Sequence, residues 1–472
     1  MTSRNRTGIA SWALSLVFSL SLSPAALASG GGTDEHGNRT SRISDTSSAD
    51  IDESAFPGRP RPIIELGTPF LGPGNVERGF ELPTGAVWQP ALIVFGTYRT
   101  AVQSFHANDE TYSEWANRMD LYANLQLSGS ERILLGIRPL DQDGKFTSYQ
   151  FEPDAPAGET GWNSEVQGRV TTLFFEGDFG EIFPGLDRDD NKGLDIGFSI
   201  GRQPLNYQAG ILVNDSIDAI GLTRNTLKMP GGSDLQATFL FGWDEVHRND
   251  NTEYPDTKLY SLNFAADLPS TTINADFVYV QDRKGDTDGF FWGISDIRRI
   301  GHYNLSTRVL GSHATEVESP TVRDGNLIFA ELSWTPAWTV DHVYVNAFLG
   351  IDQFSSAARD PSAGGPLGQT GILFQAIGMG RYGAPLGNRA DDAFGGAVGY
   401  QWFIDPIKNQ FIFEIGGRSS TRSDVDASAV AAGVRYRHVL GQHIVAQFDV
   451  FGAWNENRSN SYGTRVEMRV EF

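Results

Sequence analysis

The chain contains no cysteine, six lysines against thirty-one arginines, and, beyond residue 28, no apolar run near the roughly 20 residues that a membrane-spanning helix requires. The absence of thiols excludes a disulfide framework, a thiolate metal site, a cysteine nucleophile and a covalently attached c-type haem. A cation complement made almost wholly of guanidinium favours fixed, bidentate contacts over loosely solvated charge. With a formal net charge of −21, the chain is a poor match for nucleic acid. Nor does any segment combine a 3.6-residue apolar period with helix caps. If such a chain enters a bilayer, the closed β-barrel is the one architecture left to it, because every backbone group must then be satisfied between strands.

What is present begins with a processing segment. Arg4 and Arg6, the apolar stretch GIASWALSLVFSLSLS and an A-x-A site at Ala26-Leu27-Ala28 have the layout of a secretory signal peptide over 1–28. Its removal would take two arginines and move the charge from −21 to −23. Residues 29–86 are expected to form a flexible periplasmic segment: 29–55 is polar and too poor in large apolar groups to order itself, and 56–86 is a Pro/Gly-punctuated lead-in that could plug a barrel mouth. From 87 to 472 the pattern is repetitive. Apolar and polar residues alternate over segments of about ten to fifteen residues separated by turn residues. The expected strands are 88–103, 115–127, 130–139, 167–180, 193–204, 211–226, 233–247, 256–267, 271–282, 289–299, 301–313, 325–336, 341–354, 390–404, 408–420, 427–440, 442–455 and 460–472, giving an all-β, transmembrane antiparallel barrel of about 18 strands.

Two features separate this reading from a water-soluble sandwich. The even-numbered connections are mostly tight, as at 129–130, 268–270, 300–301 and 441–442, while the long ones, 140–166 and 355–389, fall at odd positions. That parity matches short periplasmic turns and long extracellular loops, although 181–192 and 227–232 are longer than it predicts. Alternation also leaves one continuous apolar face: Leu235, Ala237, Phe239, Phe241 and Trp243 oppose Gln236 and Thr238, and Thr464, Val466, Met468, Val470 and Phe472 oppose Arg465, Glu467, Arg469 and Glu471. The apolar set is assigned to lipid and the Arg/Glu ladder to water. Trp88, Trp334, Trp338, Tyr344, Trp402 and Trp454 lie near strand ends, where aromatic girdles belong.

The signal peptide, the repeated strand pattern and a final strand ending in Phe472 resemble Gram-negative outer-membrane barrels, and this resemblance implies that the C-terminal strand is read by the barrel-assembly machinery. The stretch GRQPLNYQAGILVNDSIDAIGL (201–222) resembles a strand-loop-strand unit of the alginate-export and porin-like barrel family, with Gly201, Arg202, Gln203, Asp215 and Asp218 at the matching positions. The resemblance implies an eighteen-stranded barrel.

Barrels of this size enclose an aqueous lumen, so the inward residues are the functional surface. Alternation places Arg99, Arg118, Arg132, Arg138, Arg418, Arg435, Arg437, Arg465 and Arg469 on one wall, against the five acids Asp120, Glu414, Asp449, Glu467 and Glu471, and Asp195, Asp218, Asp244, Asp267, Asp276, Glu331 and Asp352 on the opposite one, against Arg224 and Arg308. Such walls would set up a transverse field able to order polar solutes, with the arginines available for bidentate carboxylate contacts. Arg359, Arg381 and Arg389 mark 355–389 as a candidate constriction that would fold inward and narrow the pore, the alternative being an extracellular flap. The acidic connection 140–166 would repel external polyanions or hold divalent cations beside lipopolysaccharide. Gly197-Phe198-Ser199-Ile200-Gly201 matches a nucleophile-elbow spacing without its strand-turn-helix context, and 187–195 matches a calcium loop imperfectly, so no catalytic residue, metal or cofactor is assigned. The expectation is a multi-pass barrel in the outer membrane of a Gram-negative cell, in contact with lipid and lipopolysaccharide, passing small hydrophilic and in particular anionic solutes such as sugars or organic acids. Export of an alginate-like anionic polysaccharide is the alternative, and an outer-membrane barrel enzyme or a scaffold the second. The oligomeric state is left open.

Overall fold

A computed structural model describes residues 61–68, 79–152, 160–186, 193–283, 287–315, 321–405, 408–422 and 428–472. The expected signal peptide and polar tail, and most of the calcium-like stretch, lie outside them. The described chain is a closed antiparallel barrel of eighteen strands. In chain order these are β1 (Ala91–Ala107), β2 (Glu110–Gln126), β3 (Arg132–Ile137), β4 (Val170–Asp178), β5 (Ile196–Tyr207) and β6 (Val213–Arg224). There follow β7 (Asp234–Asp244), β8 (Lys258–Leu268), β9 (Thr271–Gln281), β10 (Gly289–Ile300), β11 (Tyr303–Ala314) and β12 (Gly325–Trp334). The last six are β13 (His342–Asp352), β14 (Ala393–Asp405), β15 (Asn409–Ser420), β16 (Ala429–Leu440), β17 (Ile444–Asn455) and β18 (Ser461–Glu471). Each pairs with its chain neighbour. The only α-helix among the described residues is the single turn Phe179–Ile182.

Closure answers what the terminal zigzag is for. β18 pairs with β1 from Tyr462 opposite His106 to Glu471 opposite Thr97, and Phe472 exchanges backbone hydrogen bonds of 2.7 and 3.1 Å with Gly96. Beyond that point β1 would present a free edge, an aggregation hazard in any sheet. Ile64–Leu66 covers it, pairing antiparallel with Leu92–Val94. The described part of the lead-in therefore extends the wall, and a hairpin of Phe80–Glu81 with Val87–Trp88 connects it to β1.

Facing follows the pleat. Phe239 is 43% exposed and Val466 57%, on an exterior that also presents Ile200, Leu262, Phe413 and Ile415. Apolar side chains in this number on the outside of a closed sheet cannot be reconciled with water and fit hydrocarbon. Trp338, Trp402, Trp454 and Tyr303 are exposed at strand ends, as an interfacial girdle requires. Tyr344 is an exception to the girdle reading. It points inward across Gly399, where any Cβ would collide with its ring, and its hydroxyl donates to Glu414.

Inside, the extracellular half holds a large apolar cluster beside buried polar groups such as Gln103, Glu114 and Asp215. Inward Leu240, Leu259, Val278, Val280, Phe291, Leu310 and Phe329 are buried against Phe354, Leu367, Leu373, Phe374 and Leu386 of the connection 353–392 between β13 and β14. The barrel thus encloses an ordinary hydrophobic core formed by its own longest loop.

Candidate functional site

The connection 353–392 crosses the lumen and is tied to several walls. Its first leg, Ala358–Arg359, runs parallel to Val213–Asn214 of β6. Arg359 is fully buried and donates to the carbonyls of Gly210 (2.8 Å), Ala363 (3.1 Å) and Gly364 (2.6 Å) and to Ser356 Oγ (3.3 Å). Burial pulls its guanidinium down to about 9 and Arg389 adds to this, while Asp215 and Asp360 oppose it. Further on, Gly378 O accepts from Arg118 (2.7 Å), Ile377 O from Arg99 (3.4 Å) and Met379 O from Gln103 (3.3 Å). The amides of Ile372 and Leu373 donate to Glu414 of β15 at 3.0 and 2.9 Å. Of the other two constriction residues, Arg381 pairs with Glu114 and Glu152 and covers the Tyr112 ring at 4.9 Å, and Arg389 reaches Asn249 O at 3.2 Å. These contacts hold the connection 353–392 against the inner faces of β1, β2, β6 and β15.

The arginines assigned to one wall do lie on neighbouring strands, but acids are interleaved among them. Arg435 and Arg465 flank Asp449 (2.5 and 3.2 Å), Arg465 also meets Glu467, and Arg99 meets Glu467 at 2.6 Å. Arg118 and Arg138 share Asp120 at 2.8 and 3.0 Å. Arg132 pairs with Glu176 at 2.5 Å, Arg469 with Glu471 at 3.0 Å, Arg437 donates to Gln447 at 2.9 Å, and Arg418 donates to Leu386 O at 2.9 Å. Arg465, placed in water by alternation, is only 1% exposed, because the loop roofs the network. Alternation set the facing of these acids as well, but not the pairing of Asp449 with Arg435 across 14 residues or of Glu467 with Arg99 across 368.

The acidic set is less uniform. Asp218 is held by Arg202 through two hydrogen bonds of 2.8 and 2.9 Å, and Glu331 accepts from Arg308 at 2.8 Å. Asp267 is exposed at the periplasmic end of β8 and accepts from Thr272 at 2.7 Å. Asp195 lies outside the wall: it precedes β5, in the periplasmic connection, 3.7 Å from Arg224. Asp244 and Asp352 end their strands at the extracellular rim, the latter at φ 58°. Asp276 is buried in mid-wall and accepts from Gln208 Nε2 at 2.7 Å.

In the unit 201–222, Gly201 has φ +120°, a conformation that other residues rarely adopt, and an added Cβ would strike Leu173 O. Arg202 braces β5 to β6 through Asp218 and to the β7 end through Glu245 (3.0 Å), while Gln203 accepts from Ser199 Oγ at 2.6 Å within the strand. Asp215 is hydrogen-bonded to His247 Nδ1 at 2.9 Å and to its amide at 2.9 Å. Sequence reasoning missed His247, which belongs to the one grouping among the described residues that could hold a metal ion: ligand atoms of Glu245, His247 and Glu253 lie within 4.8 Å of one another. Glu245 is already shared by Arg169 (2.8 Å) and Arg202, so two guanidinium groups answer the charge that a metal would use.

Two groups with shifted protonation lie beside the docked loop. Burial would raise the Asp360 carboxyl, but Arg138 and the Ser362 hydroxyl and amide outweigh it and hold the group below its ordinary 3.8. That contribution is present above 3.8 and lost as pH falls through the depressed value. Burial likewise pulls His247 down, and Asp215 more than offsets it, so the imidazole titrates above 6.5; its contribution is complete below 6.5 and fades as pH rises through the elevated value. Loop docking should therefore weaken as pH falls through the depressed Asp360 value. Amide exchange at 356–363, followed against pH, should show protection lost on that acid side, and Asp360→Asn should remove the limb.

No family model and no curated protein matches the chain. Solved structures do. The outer-membrane protein OpdK of Pseudomonas aeruginosa superposes with TM-score 0.54 at 11% identity, covering 80% of this chain and 98% of that one. OccK2 (OpdF) of the same organism, solved in complex with glucuronate, gives 0.54 at 10% identity over 81% and 98%. OccK9 (OpdG) gives 0.53 at 10% over 81% and 98%. These likenesses concern the fold. The narrower likeness to alginate-export barrels drawn from 201–222 gains no support from them, and the residues that suggested it act as braces between strands.

Proposed function

We propose that the protein is a diffusion channel for small hydrophilic solutes in the outer membrane of a Gram-negative bacterium. The observation that carries this reading is the pairing of a closed eighteen-stranded wall, apolar outside and partly polar inside, with a lumen narrowed by inward-folded connections. A wall of this size encloses water unless something fills it. Similarity in fold to barrels that include one solved with an acidic sugar supports a solute of that size. Phe472 at the seam fits a role as the assembly signal, and lipid with lipopolysaccharide would surround the exterior.

The test is single-channel recording on the refolded mature chain in planar bilayers. Discrete ohmic steps are expected. A folded, inserted barrel that passes no ions at any voltage would refute the channel and favour a scaffold.

A further inference from the structure

Opposite the arginine network, the lumen holds a polar cavity of about 310 Å³. Its floor is a ladder of inward side chains brought into register by β7 to β11: Gln236, Asn263, Asn274, Asp276 and Arg308. Its roof is the turn between β5 and β6. Gln208 and Ala209 both take φ 53°, and Ile211 and Leu212 are buried in the inner core, so the turn bends into the barrel and places Gln208 over the ladder. The volume is at the low end of the roughly 300–1,000 Å³ typical of small-molecule sites.

The donor and acceptor inventory of this cavity is unfinished. Gln208 Nε2 donates to Asp276 Oδ2 (2.7 Å) and toward Gly293 O (3.4 Å), which turns Oε1 the other way. Among the described residues, Gln208 Oε1, Asn263 Oδ1 and Arg308 Nε are buried without a hydrogen-bonding partner. Gln208 is only 6% exposed and Arg308 7%. Buried polar atoms left unpaired are costly, and three lining one cavity call for a common partner. The charges narrow its chemistry. Arg308 is already answered by Glu331 at 2.8 Å, whereas Asp276 has an amide but no cation within ion-pair distance among the described residues.

We propose that this cavity binds a neutral polyhydroxylated solute of monosaccharide size. Each hydroxyl both donates and accepts. One set can therefore donate to Asp276, Asn263 Oδ1 and Gln208 Oε1 while another accepts from Arg308 Nε. A carboxylate would meet an unpaired carboxylate and two carbonyl oxygens, and an ammonium would leave Arg308 Nε unsatisfied. The inference rests on the channel reading and assigns it a solute class different from the acidic one expected from the arginines alone.

The experiment compares glucose, glucuronate and glucosamine as blockers of the single-channel current of the full barrel, with calorimetric titration of the detergent-solubilised protein as a readout independent of conductance. Glucose should bind at least about tenfold more tightly than either charged analogue, the equivalent of one good hydrogen bond or more. Asp276→Ala and Gln208→Leu should each weaken glucose by about tenfold or more in the calorimetric titration while heat-modifiable gel mobility, the mark of a folded barrel, stays unchanged. Equal or tighter binding of glucuronate or glucosamine, or glucose binding indifferent to both substitutions, would overturn the assignment and leave the channel standing. Absent conductance with glucose still bound in calorimetry would remove the channel and keep the site.

Discussion

Arg359→Ala is expected to open the pore. The substitution should raise single-channel conductance several-fold while the wall stays folded, because Arg359 is the internal clamp of the connection that occupies the extracellular lumen. Its guanidinium satisfies three carbonyls and a hydroxyl from the loop and the β5–β6 turn, all buried. Hydrogen bonds from a charged donor contribute about 1.5–3 kcal/mol each, and stranded buried carbonyls add a penalty, so the docked state should lose on the order of 3–5 kcal/mol. That loss falls on the leg paired in parallel with Val213–Asn214 of β6, which should come away from the wall while Phe354, Leu373 and Phe374 hold the rest of the connection. Lysine should fail to rescue, since one ammonium cannot serve acceptors spread around a planar fork. Conductance within error of the parent, in a barrel that still runs as a folded species on gels, would mean that the loop is held elsewhere.

Asp449→Ala should act on the wall. Asp449 stands in register between Arg435 on β16 and Arg465 on β18 and accepts from both, as well as from Gln447 at 2.7 Å. Both arginines are buried, so removing the carboxylate leaves two like charges facing each other in a dry layer. Breaking one side of a buried ion network typically costs about 3–5 kcal/mol. The midpoint of unfolding in guanidinium, followed by tryptophan emission, should fall accordingly, and Asp449→Asn should fall less because it keeps a hydrogen-bonding oxygen. An unshifted midpoint would show that water reaches the network and screens it.

The wall was readable because lipid and water impose opposite demands on successive residues. That is why β9, expected at 271–282, spans Thr271–Gln281 and β10, expected at 289–299, spans Gly289–Ile300. The reading weakens where that demand stops. β1 and β2 run on to Ala107 and Glu110, past the expected ends at 103 and 115, because a hairpin standing clear of the bilayer needs no apolar face. Its one local signal is Asn108-Asp109, both at positive φ as such a tight turn needs. The facing of Arg99 and Glu467 could be read from alternation, but their contact depends on closure of the sheet. Tyr344 misled as an aromatic near a strand end, since only its register against Gly399 and Glu414 shows which face it takes. The polar cavity was overlooked for a different reason: Gln208 and Asn263 are uncharged, and a search for charge passes over amides.

The inner core formed by Phe329, Phe348 and Phe374 with their neighbours gives one polypeptide two solvents and two grammars. Along β12, Phe329 is hidden from water by the protein's own loop, whereas the residues on either side of it answer to the bilayer. A polar replacement at the first would fail as it does in any cytosolic enzyme, through exposure to an unfilled interior, and at the second through a mismatch with fat. Apolarity at a position in this barrel is therefore not in itself a sign of contact with the membrane, and hydropathy alone would assign Leu327 and Phe329 of this strand to the wrong medium.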